Sequence, residues 1–310
     1  MNTKTQAVPV VAIMGPTASG KTDLALTLAK QLPSEIISVD SALVYKNMDI
    51  GTAKPTVEER RICPHHLIDI LDPSESYSVT QFCNDANQLI NQIHQRGNLP
   101  ILVGGTMMYF NALINGISPL PKSNEEIRQA ICVEARASGW SAMHQQLQQV
   151  DPVSAARIHP NDPQRLTRAL EVYRSSGKSL TYWQQQEVIK TPFEIAQFAI
   201  APQDRAVLHE RIERRFKNML EVGFVEEVRN LYHRGDLHID LPAIRSVGYR
   251  QVWQYLDQTL SYKEMQERGV IATRQLAKRQ LTWLRGWKAL DWLDTFANNN
   301  LAKILAKIDR

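Results

Sequence analysis

Cysteine is scarce in this 310-residue chain: Cys63, Cys83 and Cys132 are the only three. They are odd in number and form no C-x-x-C pair, which argues against a disulfide framework and a tetrahedral zinc site. A reducing cytoplasm is the expected compartment. Long apolar runs are missing too. The stretch from Val8 to Met14 is short and leads straight into Gly15-Pro16, so it reads as a strand and not a signal peptide. No later stretch approaches the roughly 20 apolar residues that span a bilayer, so no membrane partner is expected. The eight histidines show no metal-ligand spacing, and His65-His66 is expected to be structural or solvated. No internal repeat is visible, and Asn298-Asn299-Asn300 reads as a loop near the tail. Neither sign of charge dominates. A net charge of +4 permits a polyanionic partner without demanding one, because placement matters more than the sum.

What is present suits a globular protein with a sizeable core: 43% of residues are hydrophobic and 22% charged. The length favours two domains, or one domain with an insertion. Short apolar runs alternate with helical patterns through the first third. Val8–Met14, Glu35–Val39 and Leu99–Val103 read as strands, Thr22–Gln31 and Val79–Arg96 as helices. That alternation predicts an α/β fold, a parallel sheet with flanking helices of the kind P-loop proteins use. At Pro119-Leu120-Pro121 the character changes to polar, Gln-rich helical sequence. One helix there is well punctuated: Asp162 can cap it, Pro163 fits its first turn and Gly177 can close it. Phe193–Ala201 returns to alternating apolar residues, as a strand rejoining the sheet would, and the remainder is mostly helical. The expected organisation is a core from 1–118 and 193–310 with an all-helical insertion at 119–192.

Gly15, Pro16, Thr17, Ala18, Ser19, Gly20, Lys21 and Thr22 match G-x-x-x-x-G-K-[ST] in full, between a predicted strand and a predicted helix. Glycines let successive N–H groups turn toward one anion, and the helix N-terminus adds its dipole. Lys21 supplies a point charge for terminal phosphates, and the Thr22 hydroxyl can ligate Mg²⁺. ATP-binding proteins use the same loop, so a nucleotide is an admissible ligand. The motif says that phosphates are bound; it does not say whether a P–O or a C–O bond breaks. Asp40 ends the second predicted strand, at the edge where open α/β sheets hold ligands. A helix cap, a Mg²⁺ ligand and a general base all remain open for it.

Gly15–Thr22 is followed by Ser38-Val39-Asp40-Ser41-Ala42-Leu43-Val44-Tyr45-Lys46 and by Met48-Asp49-Ile50-Gly51-Thr52-Ala53-Lys54-Pro55. Together they resemble the bacterial tRNA dimethylallyltransferases. Leu102–Thr106, Asp162–Leu166, Arg245–Arg250 and Gln275–Gln280 extend the resemblance, in order, over about residues 8–294. It implies transfer of a dimethylallyl group from its diphosphate to the exocyclic N6 of the adenosine 3′-adjacent to the anticodon, in tRNAs reading codons that begin with U. It also implies roles. Asp40 takes the amine proton, Arg215 and Lys21 hold the diphosphate with Mg²⁺, and Thr17 and Thr106 lie near the reacting groups. The helix around Arg215 also carries Arg211 and Arg214, for which solvation and pairing with Glu210 and Glu213 is the bland alternative.

The same resemblance assigns tRNA contacts to Asp40, Ser41, Ala42, Leu43 and Thr106, and in the insertion to Arg128, Gln164, Arg165, Leu166, Thr167 and Arg168. It adds Arg245, Ser246, Val247, Gly248, Tyr249 and Arg250, and finally Lys278, Arg279, Gln280, Leu281, Thr282, Trp283, Leu284 and Arg285. From the residues alone, Lys278, Arg279 and Arg285 interleaved with Trp283 and Trp287 fit phosphate contacts and base stacking, or equally a solvated face over a tryptophan core. An adenosine stacked in its loop must be flipped out to react, and an inserted domain clasping the stem-loop would help. No cysteine follows Cys132, so the C-terminal zinc finger of eukaryotic members is not expected. A monomer is expected. The competing functions are prenylation of free adenine nucleotide, a P-loop kinase or NTPase, and a nucleotide-gated RNA-binding protein without chemistry.

Overall fold

Five consecutive apolar residues form β1 (Val10–Met14), and all five are fully buried. A strand is buried on both faces only where helices cover both sides of the sheet, which parallel topology provides. The computed structural model describes residues 9–308; Val8, expected to open this strand, lies outside them. β2 (Ser34–Val39), β3 (His65–His66), β4 (Leu99–Gly104), β5 (Ile195–Ala201) and β6 (Asp291–Asp294) complete a six-stranded sheet in the order β3-β2-β4-β1-β5-β6. Every pairing among these is parallel. The loops leaving β1, β2 and β4, three adjacent strands, therefore emerge along one edge, and that edge holds the site.

Thirteen helices are described. The first four are α1 (Lys21–Ala29), α2 (Val57–Ile62), α3 (Val79–Gln95) and α4 (Met107–Asn115). α1 starts straight after Gly20, whose φ of 90° few side-chain-bearing residues adopt. α3 starts in a capping box, Ser78 with Gln81. Leu24, Leu28, Val11, Ile13, Ile101, Phe198 and Ile304 share one apolar cluster on the sheet. After β5 come α9 (Arg205–Glu221), α10 (Phe224–Tyr232), α11 (Tyr249–Leu256), α12 (Tyr262–Arg285) and α13 (Asn300–Ile308). α9 to α12 enclose a second cluster around Phe216, Phe224, Tyr249 and Trp253, joined by Val44, Tyr45 and Met48.

The chain divides into two compact units, one running through Ile114 and resuming at Pro192, the other Asn115–Thr191. The second unit is helical: α5 (Glu125–Val150), broken at Gly139, α6 (Pro152–Arg157), α7 (Pro163–Ser176) and α8 (Leu180–Gln184). α7 keeps the expected punctuation. Asp162 accepts from the Arg165 N–H, Pro163 fills the first turn, and Gly177 closes it at φ 67°. Its core gathers Ile131, Leu147, Leu166, Leu170 and Leu180.

Three features differ from expectation. β3 is too short to leave a pattern; His66 Nε2 meets Glu35 Oε2 at 2.7 Å and ties this edge to β2. Arg96 and Asn98 also bind Glu35, and hydrogen bonding to Arg96, the largest influence, draws its carboxyl down to about 2. β6 has a single buried residue, Leu293, so no apolar run announces it. Asn300 belongs to α13 and not to the loop: it is buried, and its amide donates to the Asp294 carbonyl.

Candidate active site

The loop between β1 and α1 is held by its neighbours at three points. The Thr17 N–H donates to Gln280 Oε1 (3.0 Å), Arg211 Nε donates to the Ala18 carbonyl (2.7 Å), and Thr295 Oγ1 donates to the Ser19 carbonyl (2.7 Å). Lys21 Nζ donates to the Pro16 carbonyl (3.2 Å). Gly15 is required by closeness: a Cβ there would lie 2.5 Å from the Ile200 carbonyl oxygen. These bonds fix the backbone of the loop.

Asp40 follows β2 directly. Its Oδ1 accepts from the Ala42 N–H (2.9 Å), so one oxygen secures the turn. Thr106, at the end of β4, accepts at Oγ1 from the Ser41 N–H (3.1 Å) and donates its own N–H to the Val39 carbonyl (3.2 Å), fixing the Asp40 loop against its neighbour. Gln280 on α12 spans the same edge: its Nε2 donates to the Gly105 carbonyl (2.9 Å) while its Oε1 holds Thr17. A Cβ at Gly105 would stand 2.4 Å from that nitrogen, so the glycine makes room for the bridge.

Thr17, Lys21, Thr22, Asp40 and Arg215 line one cavity of about 170 Å³, with Leu43, Ile212, Phe216, Met219 and Leu276 supplying apolar wall. A larger, more open cavity of about 1130 Å³ shares Ala18, Lys21, Thr22, Ala53, Arg215 and Met219 with it. Two like charges are gathered here. Enclosure first, and the neighbouring Arg215 charge second, lower the Lys21 ammonium to about 8 against the opposing pull of Asp40. Burial likewise lowers the Arg215 guanidinium, opposed first by Asp40. Holding two cations together is unfavourable unless an anion lies between them, and a diphosphate is such an anion. The bland alternative holds in part: Arg214 is exposed, but none of the three arginines takes Glu213 as its partner. Glu213 bonds Lys217 (2.8 Å) and Arg274 (2.9 Å) instead, Arg211 clamps the P-loop, and Arg215 faces both cavities.

The residues expected at RNA divide by exposure. Ser41, Gln164, Arg165, Arg245, Arg250, Lys278, Arg279, Thr282, Trp283 and Arg285 are exposed; Asp40, Ala42, Leu43, Thr106, Arg128, Ser246, Val247 and Leu281 are partly so. Leu166, Thr167, Gly248, Tyr249, Gln280 and Leu284 are buried. Tyr249 and Leu284 are completely enclosed, and Gln280 uses both ends of its amide on the P-loop edge. Arg168 bonds Glu171 Oε2 (3.0 Å) and the Pro121 carbonyl (2.7 Å), bracing the start of the insertion. The two tryptophans also part company. Trp283 is 47% exposed, whereas Trp287 Nε1 donates to Gln197 of β5 (2.7 Å). The sequence offered Arg211 only as one of three candidate arginines, and neither its bond to the loop, nor Thr295, nor the positioning role of Gln280 was foreseen. Arg211 had a signal: it lies one helical turn before Arg215, on the same face.

Comparison with known proteins bears on this arrangement. Full-length tRNA isopentenylpyrophosphate transferase from Bacillus halodurans is 39% identical and superposes with a TM-score of 0.72, covering 97% of either chain. The tRNA delta(2)-isopentenylpyrophosphate transferase of Staphylococcus epidermidis is 33% identical, with a TM-score of 0.69 over 97% of this chain and 99% of its own. A eukaryotic dimethylallyltransferase acting on tRNA is 28% identical, with a TM-score of 0.79 over 96% of this chain and 77% of its own. The family model described as IPP transferase matches residues 43–287. With its parallel sheet, its phosphate loop and this match over most of its length, the chain belongs to the IPP transferase family.

Proposed function

We propose that this protein transfers the dimethylallyl group of dimethylallyl diphosphate to the exocyclic N6 of the adenosine 3′-adjacent to the anticodon, in tRNAs that read codons beginning with U. One observation carries the reading: a single small cavity brings Lys21, Arg215 and the P-loop together with Asp40, and gives them an apolar wall. The adenine amine is a poor nucleophile while its lone pair is delocalised into the ring. Asp40 accepts its proton as the C–N bond forms. The allylic C–O bond breaks, and the electron pair leaves with the diphosphate, whose growing charge Lys21, Arg215 and the loop amides stabilise. Thr17 and Thr106 keep the two loops in register.

Mg²⁺ fits this donor set. Thr22 offers a hydroxyl beside Lys21, and among the described residues no group of three or more His, Cys, Asp or Glu could hold a metal. Most ligands would then be diphosphate oxygens and water, as this ion prefers. Bound there, it supplies positive charge to the leaving diphosphate.

The exposed cations of α12 with Trp283, Arg245 and Arg250, and Arg165 with Gln164 in the inserted unit supply the RNA contacts, phosphates to the cations and an unpaired base to the indole. Work in the cytoplasm as a monomer completes the reading. Incubation of the purified protein with dimethylallyl diphosphate, Mg²⁺ and anticodon stem-loop RNA, followed by nucleoside mass analysis, tests it. One adenosine should gain the five-carbon unit, and an inosine at that position should not react. Equal rates on free AMP would favour a nucleotide prenyltransferase, and RNA-stimulated ATP hydrolysis without prenyl transfer would favour an NTPase.

A further inference from the structure

Glu227, on α10, lies outside the lining of both cavities, yet its carboxylate gathers four donors. Oε2 accepts from the N–H groups of Asp49 (2.8 Å) and Ile50 (2.7 Å), and Oε1 from the N–H of Gly51 (3.1 Å) and the Tyr249 hydroxyl (2.5 Å). Three successive amides turned toward one anion make the kind of concavity that holds phosphates in other proteins; here a side chain occupies it. The approach is close. A Cβ on Gly51 would lie 2.1 Å from Phe224 Cε2 and 2.6 Å from Tyr249 Cε2, so residue 51 is pressed onto that aromatic pair.

The segment that follows is cavity wall. Gly51, Thr52 and Ala53 line the small cavity beside Lys21, Asp40 and Arg215. Ala53 sits at φ 49°, a left-handed conformation that an alanine keeps only when its surroundings impose it. Beyond it Lys54 is buried, with Nζ 2.6 Å from Asp49 Oδ1, 2.5 Å from Asp69 Oδ1 and 2.8 Å from the Tyr45 carbonyl. The wall is thus pinned in front by Glu227 and behind by Lys54.

We propose that Glu227 is a positioning residue for the prenyl donor: by gathering the amides of residues 49–51 and the Tyr249 hydroxyl it holds the Gly51–Ala53 wall at its distance from Lys21 and Arg215. This rests on the small cavity being the donor site, as read above. Glu227→Gln keeps the size of the side chain but turns an NH₂ group toward N–H donors and loses the charge-assisted bonds. A loosened wall weakens the grip on bound donor and leaves the chemistry intact, which raises KM for the donor and spares kcat.

The test compares wild type, Glu227→Gln and Tyr249→Phe in steady-state prenyl transfer to stem-loop RNA, and by hydrogen exchange of residues 49–51 without substrates. Donor KM should rise about tenfold in Glu227→Gln and about threefold in Tyr249→Phe, with kcat and the KM for RNA within about twofold. Exchange at residues 49–51 should quicken in Glu227→Gln. Unchanged donor KM in both variants, losses shared equally by kcat and the KM for RNA, or unaltered exchange would each overturn the proposal. If Glu227→Gln fails to fold, Tyr249→Phe decides alone, by the same measures. A wild-type protein without prenyl transfer would defeat the assigned reaction, and the exchange comparison would still decide whether Glu227 holds the loop.

Discussion

Asp40 has one oxygen committed to its own turn, through the Ala42 N–H, and it shares the small cavity with the two enclosed cations. A base acting in the transition state is expected to show in turnover more than in affinity. Asp40→Ala should therefore lower kcat by about 10²–10⁴ while RNA binding, measured by filter retention, stays within a few fold. Equal turnover would remove Asp40 from the reaction. Lys21 carries a pH dependence. Its value in the fold, about 8, lies below the ordinary 10.5, so the folded protein bears a penalty for protonated Lys21 below about pH 8. That penalty fades as pH rises from 8 toward 10.5, and stability gains accordingly. Donor binding runs the other way, because a diphosphate favours the ammonium. KM for the donor should climb as pH passes above 8, with Arg215 keeping its charge throughout; a flat donor KM between about pH 7.5 and 9.5 would contradict this. Residues fixed by local motif, Gly15 to Thr22 and Asp40, were legible in the sequence. Gln280 and Glu227 were not placed, because their partners lie far along the chain and no local pattern links Gln280 to Thr17 or Glu227 to Ile50.

α12 shows how one helix serves two sides. Ala277, Gln280 and Leu284 face inward at helical spacing, while Lys278, Arg279, Thr282, Trp283 and Arg285 are exposed. The sequence pattern gave the basic and aromatic content but could not say which tryptophan is free; the Trp287–Gln197 bond settles that by using the indole N–H inside the fold. Replacing Lys278 and Arg279 together by Ala removes exposed charge without touching the buried face. Binding of many tRNAs should weaken alike, and the slope of log affinity against log salt should flatten by about one to two, since each phosphate contact releases about one counterion. An unchanged slope would show that neither side chain meets the backbone. Long, well-capped elements such as α3 and α7 were readable for the reason these two are stable, a buried stripe bounded by capping groups. β3 and β6 were not, because two residues, or four with one inward side chain, carry no period.

Across the whole molecule, the insertion interrupts a sheet whose strands do not pair in chain order. The composition shift at Pro119-Leu120-Pro121 was visible in the sequence; the strand order was not, since parallel pairing leaves no mark on local pattern. That order has a consequence during synthesis. Val10 of β1 pairs with Ile195 of β5, so one edge of β1 stays open until the whole Asn115–Thr191 unit has been made. At about 5–20 residues per second that wait is on the order of ten seconds, during which an apolar strand edge is exposed to other chains. The inserted unit has its own core and need not wait. A chain ended at Thr191 should then yield, under limited proteolysis, a resistant fragment spanning residues 115–191 and a readily digested N-terminal part. Equal resistance of both parts would mean that β1, β2 and β4 close a stable sheet before β5 emerges. Otherwise the nascent chain passes through an interval in which its insertion is folded and its phosphate loop is not, and a chaperone that shields strand edges has its substrate there.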